Sequence, residues 1–125
     1  MRRRIEVDVA KSVADLRHLR VEGQTAAEVR KVLDNAPTKG FWIHVDADVL
    51  AAKIMPAVDS PNPRGITFVQ LKDILATLLA SPKAVGLEIT IFDPDLDPDG
   101  KLATQLASTI ERAFAESGRF AKRKP

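Results

Sequence analysis

The apolar run Phe41-Trp42-Ile43-His44-Val45 breaks off at Asp46-Ala47-Asp48, and that abrupt change constrains the fold more than any other feature of the chain. A near-continuous apolar strand suits a central parallel position, buried on both faces of a sheet. Carboxylates delivered at the C-terminal end of such a strand fall where open α/β sheets bind their ligands. Side chains at i and i+2 of an extended chain share a face, so Asp46 and Asp48 are expected on one side of the strand. Burying two acids that close together without a cation is costly. The pair therefore reads as half of a metal site, with a turn cap after the strand as the competing reading.

The segments around this strand alternate between strand and helix, which predicts an α/β domain with a parallel sheet. Ile5 to Val9 alternates apolar and charged residues and reads as a strand, while Lys11 to Arg20 is equally an amphipathic helix carrying Val13, Leu16 and Leu19. Thr25 and Glu28 form a capping box for a helix running to about Asn35, which Pro37 closes. Thr67 and Gln70 form a second box, and Phe68, Leu71, Ile74, Leu75, Leu78 and Leu79 recur on one helical face until Ser81-Pro82. A strand from Val85 to Phe92 follows, expected beside Phe41 to Asp46 through a right-handed crossover. The final helix carries Leu102, Leu106, Ile110 and Phe114 on its buried stripe. The expected core comprises Ile43, Val45, Leu71, Leu75, Leu78, Leu87, Ile89, Leu106 and Ile110, with Phe41 and Trp42 also read as core.

Beyond the acidic pair, the positions Asp46, Asp48, Ala52, Pro56, Ala57 and Gly65 keep a longer spacing. That spacing resembles a signature of the ureohydrolases, the arginase/agmatinase/formiminoglutamase family: Asp-x-Asp at a strand end, three residues, a Pro/Ala/Gln position, three more, Pro, a small residue, seven residues and Gly. The resemblance covers about residues 20 to 117, corresponds to the C-terminal part of a family member, and leaves residues 1 to 20 open. It implies a three-layer α/β/α fold with a parallel sheet, taken here as one domain over residues 1–125. It also implies that Asp46 bridges two manganese ions and that Asp48 binds one of them. Hard oxygen ligands suit manganese or magnesium, and a two-metal site supplies hydroxide to attack a guanidinium or formimino carbon, giving urea or formamide and an amine. The family's upstream motifs, Gly-Gly-Asp-His and Asp-Ala-His-x-Asp, occur nowhere in these 125 residues. The implied protein is thus a shortened manganese-dependent hydrolase of linear amidines, binding metal weakly or not at all by itself. A complementary N-terminal half or a homo-oligomer is the implied partner. The rival reading is a non-catalytic remnant or interaction module that keeps the α/β core and whose exposed strand edge recruits partners.

Several positions depart from the family pattern. Ala51-Ala52 replaces a common Asp-Pro, and His44 stands where Ser or Thr is usual. On a regular strand His44 shares a face with Asp46, as a carboxylate orienter or ligand, or as a packed histidine with one nitrogen satisfied. Ile91 takes the position of a Glu that commonly holds the substrate's cationic group, and an apolar side chain cannot pair with a guanidinium. Glu88 lies three residues away and is expected to face the other side of its strand. The acids Asp93, Asp95, Asp97 and Asp99 suggest calcium, but an EF-hand loop from Asp95 would need Glu where Leu106 stands. Asp97 or Asp99 as a helix cap is the preferred reading. The loop Ser60 to Gly65 is expected at the site's rim, Gly65 allowing a backbone conformation closed to other residues. Lys53 and Arg64 are candidate contacts for an anionic group.

Composition narrows the remaining classes. The chain has no cysteine and hence neither a disulfide framework nor a thiolate ligand, in keeping with a reducing, cytoplasmic setting. No apolar run approaches the length of a membrane span. The net charge of +2 comes from basic ends, Arg2-Arg3-Arg4 and Lys122-Arg123-Lys124. Solvated termini account for these, with no nucleic-acid or membrane partner expected. A Ser/His/Asp set, a phosphate loop and a Gly-x-Gly-x-x-Gly turn are all missing.

Overall fold

The computed structural model describes residues 5–10, 16–21, 25–34 and 39–119. Four strands form one sheet in the order β2-β1-β3-β4, with β1 Ile5–Ala10, β2 Leu16–Val21, β3 Gly40–Asp46 and β4 Ala84–Thr90. Helices α1 Ala26–Asp34, α2 Phe68–Ala80 and α3 Lys101–Ser117 complete the described elements.

β3 and β4 run parallel, with Ile43 opposite Leu87 and Val45 opposite Ile89, and α2 connects them. Beyond this pair the sheet turns antiparallel, since β1 pairs with both β2 and β3 in that sense. The expected strand at Ile5 to Val9 is therefore present. The helix considered over Lys11 to Arg20 is replaced by β2 at Leu16–Val21. Only residues 11–15 separate β1 from β2, and so short a connection joins antiparallel neighbours, whereas a parallel crossover needs a dozen residues or more.

Alternation along β3 divides the sheet's two faces. Phe41, Ile43 and Val45 are buried, and they belong to one apolar cluster with Val29 of α1, Leu71, Ile74, Leu75 and Leu78 of α2, and Leu106 and Ala113 of α3. The described helices thus cover one face, supplying two of the three layers that the resemblance implies. Each fully buried aliphatic side chain in this cluster contributes about 1.5–3 kcal/mol of transfer free energy. Of the expected core, Leu87, Ile89 and Ile110 are only partly covered, and the others are buried. Trp42 is the correction: it points to the opposite face and is 41% exposed. Its ring lies over Gly86 on the neighbouring strand, where a Cβ would collide with the indole.

Local signals start the helices where expected. Both capping boxes close, with Gln70 N–H donating to Thr67 Oγ1 and Thr67 N–H to Gln70 Oε1 at 3.1 and 2.9 Å, and Thr25 and Glu28 exchanging equivalent bonds. Asn35, Pro37 and both basic ends lie outside the described residues. The second expected strand is shorter than read, ending at Thr90, because Ile91 adopts a positive φ of 74° and turns the chain out of the sheet.

Candidate functional site

The carboxyl ends of β3 and β4 lie side by side, with Asp46 opposite Thr90 and His44 opposite Glu88. Period-two alternation places these four side chains on the face away from the helices. They form one network. The Thr90 hydroxyl donates to Asp46 Oδ1 at 2.7 Å, His44 Nε2 lies 3.0 Å from the same oxygen, and His44 Nδ1 lies 2.6 Å from Glu88 Oε1. Both ring nitrogens face carboxylates, which favours the imidazolium, in which both donate. The His44 pKa is accordingly raised above 6.5, chiefly by the hydrogen bond to Glu88, with partial burial opposing it and Asp46 adding to it. His44 is therefore not a packed histidine with one satisfied nitrogen, because each of its nitrogens meets a carboxylate.

Asp48 departs from the extended geometry expected of it. The chain folds into a 3-10 turn at Ala47–Val49, closed by Leu50 N–H to Ala47 O at 3.2 Å. The i, i+2 argument for a shared strand face does not apply across that turn. Asp48 is 1% exposed within the buried turn, while Asp46 keeps a partly exposed side chain at the strand end.

The loops after the two strands meet here. Asp93 N–H donates to Ala57 O at 2.9 Å, and Val58 bridges to Phe92. The segment after β3 folds back on itself through Ala51 N–H to Ile66 O and Ala52 N–H to Asn62 O, burying Met55, Ala57 and Val58. Gly65 is required in this fold-back, although not for the reason expected. Its φ is not among the positive ones, but a Cβ would collide with Ala51 N and the Leu50 carbonyl. Lys53 and Arg64 are exposed on the same segment.

The acidic loop's carboxylates are occupied by backbone donors. Asp93 Oδ1 accepts from Asp95 N–H, Asp99 Oδ1 from Lys101 N–H, and the buried Asp97 from both Leu102 and Ala103 N–H at 3.1 and 2.9 Å. These are helix-start contacts, as preferred over calcium.

One participant in the site was missed from the sequence: Thr90, which fixes the Asp46 carboxylate. At the other end of β4, away from the site, Arg119 reaches back to the carbonyls of Leu79, Ser81 and Ala84. For Thr90 the signal was available, since parallel pairing of the two strands brings a hydroxyl level with the first acid. Arg119 offered none.

The result is an α/β domain whose parallel strand pair presents acidic and hydroxyl side chains at its carboxyl edge. Its sequence assigns it further: the chain belongs to the Arginase family, whose family model matches residues 3–115 and so takes in β1 and β2. A formimidoylglutamase from Aeromonas hydrophila is 28% identical over 100 residues, 76% of this chain and 32% of that protein. An arginase from Agrobacterium fabrum is 32% identical over 114 residues, 87% of this chain and 35% of that protein. Among solved structures, the formimidoylglutamase of Bacillus subtilis superimposes with a TM-score of 0.61 at 23% identity, covering 78% of this chain and 29% of that one. A Trypanosoma cruzi formiminoglutamase crystallised with Mn2+ gives 0.60 at 19% identity, covering 77% and 34%. These structural likenesses show the fold. The chain spans about a third of the length of the curated relatives it matches.

The donor set can be tested against manganese on chemistry alone. A hard divalent ion takes about six oxygen or nitrogen ligands. Among the described residues, no group of three or more His, Cys or Asp/Glu side chains is arranged to hold a metal. Asp46 Oδ1 is already engaged by His44 and Thr90, and Asp48 is buried within the 3-10 turn. The described residues do not by themselves fit a manganese centre.

Proposed function

We propose that this chain is the C-terminal portion of a ureohydrolase, the part that carries Asp46 and Asp48 toward a manganese site whose other ligands come from outside the described residues. The activity of the completed protein is hydrolysis of a non-peptide C–N bond in a linear amidine, a guanidino or formimino compound, in a cytoplasmic setting. The observation that carries this reading is the Asp46 carboxylate at the carboxyl edge of a parallel pair. His44 and Thr90 hold it there, beside the joined loops after β3 and β4, in a chain of the Arginase family. The role of the chain's own residues is to orient that carboxylate. Two hydrogen bonds to Oδ1 fix its plane, and the buried fold-back at Met55 to Val58 excludes water from the flank of the turn.

A second reading, a non-catalytic module that retains the α/β core, is favoured by Ile91. Its aliphatic side chain is partly exposed at this edge and offers nothing to a guanidinium. Calorimetric titration of the purified chain with manganese, paired with an assay for released urea or formamide, tests both readings. Weak metal binding and no turnover by the chain alone are expected, with metal affinity rising when a complementary N-terminal half is co-expressed. Turnover by the isolated chain that disappears in Asp46→Ala would overturn the proposed division of ligands. Unchanged affinity in the presence of the complement would favour the non-catalytic module.

A further inference from the structure

The pairing of β3 with β4 is not uniform along its length. Phe41 lies opposite Ala84, but Trp42 lies opposite Gly86, so the register skips Val85. A skipped residue of this kind is a β-bulge, which is rare between parallel strands and re-aims the side chains that follow it. Burial marks the same position. Ala84 is buried with Phe41 on the helix-covered face, and Leu87 and Ile89 beyond it pack against the same cluster, whereas Val85 is 67% exposed. Two consecutive residues, Val85 and Gly86, therefore stand between core positions that strict alternation would separate by one.

Both ends of this stretch are held. Before the bulge, Phe41 N–H donates to Lys83 O at 2.9 Å, Ala84 N–H to Ser81 O at 3.1 Å, and the Arg119 guanidinium to Ala84 O. After it, Glu88 meets His44 Nδ1 and the Thr90 hydroxyl donates to Asp46. Continued without a bulge, the pairing of Phe41 with Ala84 would set Trp42 opposite Val85, His44 opposite Leu87, Val45 opposite Glu88 and Asp46 opposite Ile89. A one-residue slip sends every side chain to the other face. Val45 is fully buried, so Glu88 would enter the helix-covered core, a costly place for a carboxylate, and Leu87 and Ile89 would leave it. We propose that Val85 is a positioning residue: the bulge it forms, between a turn clamped by Arg119 and the Asp46 network, turns Glu88 and Thr90 onto the face of the sheet that carries His44 and Asp46. The extra backbone unit acts here, and the exposed valine side chain does not. Gly86 completes the device, because a Cβ there would collide with the Trp42 indole that lies over it.

No metal enters this device, so its failure would leave the manganese reading untouched, and a failed manganese titration would leave the device standing. Trp42 is the chain's single tryptophan and His44 one of its two histidines. Indole emission and the imidazole nitrogen resonances therefore report the register on the two sides of Ile43. Deleting Val85 removes the one residue that the register skips, and straight pairing then satisfies both clamps. The chain lacking Val85 should fold with the Trp42 emission and the His44 resonances of the wild type. Deleting Gly86 also straightens the strand but brings Val85 beneath the indole, so the His44 resonances should hold while the Trp42 emission maximum shifts. Deleting Ile89, which lies between Glu88 and Thr90, leaves no register that keeps both in place, and the His44 signature should be lost. The wild-type chain, without any deletion, should show cross-strand proton contacts joining Phe41 to Ala84, Ile43 to Leu87 and Val45 to Ile89. Loss of folding or of the His44 signature on deleting Val85, its persistence on deleting Ile89, or contacts joining Ile43 to Gly86 in the wild type would each overturn the proposal.

Discussion

Ile91 carries a β-branched side chain at φ 74°, a backbone region that costs a residue with a Cβ about 1–2 kcal/mol. The side chain is 43% exposed, so little burial offsets that strain. Ile91→Asn, which tolerates the left-handed region, is expected to raise unfolding stability by about 1 kcal/mol in denaturant titration. A loss of stability would mean that the isoleucine side chain contributes more than its exposure suggests. His44 supplies a pH dependence. Its folded pKa is raised above the ordinary 6.5 by Glu88 and Asp46, so the folded state binds its proton more tightly. The resulting stabilisation is fully present below about pH 6.5 and is lost as pH rises through the folded pKa. The stability difference between the wild-type chain and His44→Gln should therefore be largest in mildly acidic solution and should shrink on alkaline titration. A difference that grew with pH would contradict the bridging imidazolium. The sequence placed His44 on the Asp46 face through strand period alone, but it could not show that both nitrogens would find acids. That depended on the parallel register that sets Glu88 beside it. Ile91 could be read as the wrong residue for a guanidinium, yet its backbone strain was invisible, because isoleucine ordinarily signals extended chain.

Among the elements, α3 shows how an acidic run is used for folding. The helix begins after a left-handed Gly100, and its first free N–H groups point back into the preceding loop. Asp97 accepts two of them while 7% exposed, whereas Asp99 accepts one from an exposed position. Asp97→Ala should cost about 1–2 kcal/mol, the upper range for an N-terminal cap, and Asp99→Ala only a fraction of that. Equal effects in thermal or chemical melts would show that the helix dipole, which both acids serve, outweighs the direct bonds. The caps of α1 and α2 were legible because a capping box is a local pattern of spacing and hydroxyl chemistry. The Asp48 turn was not. Alternation extends the strand to Asp48, but the chain turns at Ala47, where residues pack into the core and exchange strand bonds for a 3-10 turn. The hairpin β1–β2 was half legible: its first strand alternates cleanly, while Leu16 to Val21 offers leucines at spacings that serve a helix as readily as a strand.

For the molecule as a whole, the parallel pair and its covering helix followed from two apolar runs separated by a long amphipathic stretch. The antiparallel addition did not, nor did the face that none of the described helices covers. A strand buried on both sides was inferred from Phe41 to Val45, whereas the outward positions are Trp42, His44 and Asp46, residues that tolerate water. The reach of Arg119 has a further consequence. Its guanidinium binds Leu79 O and Ser81 O, the carbonyls that the end of α2 leaves without helical partners. During synthesis the ribosome delivers α2 well before residue 119. Local bonds close the turn, Ser81 N–H to Leu78 O and Ala84 N–H to Ser81 O, but the Arg119 contact on it forms only after about forty further residues have emerged. The last tie on the end of the central crossover is thus a late event on the nascent chain, made by a residue that lies beyond α3.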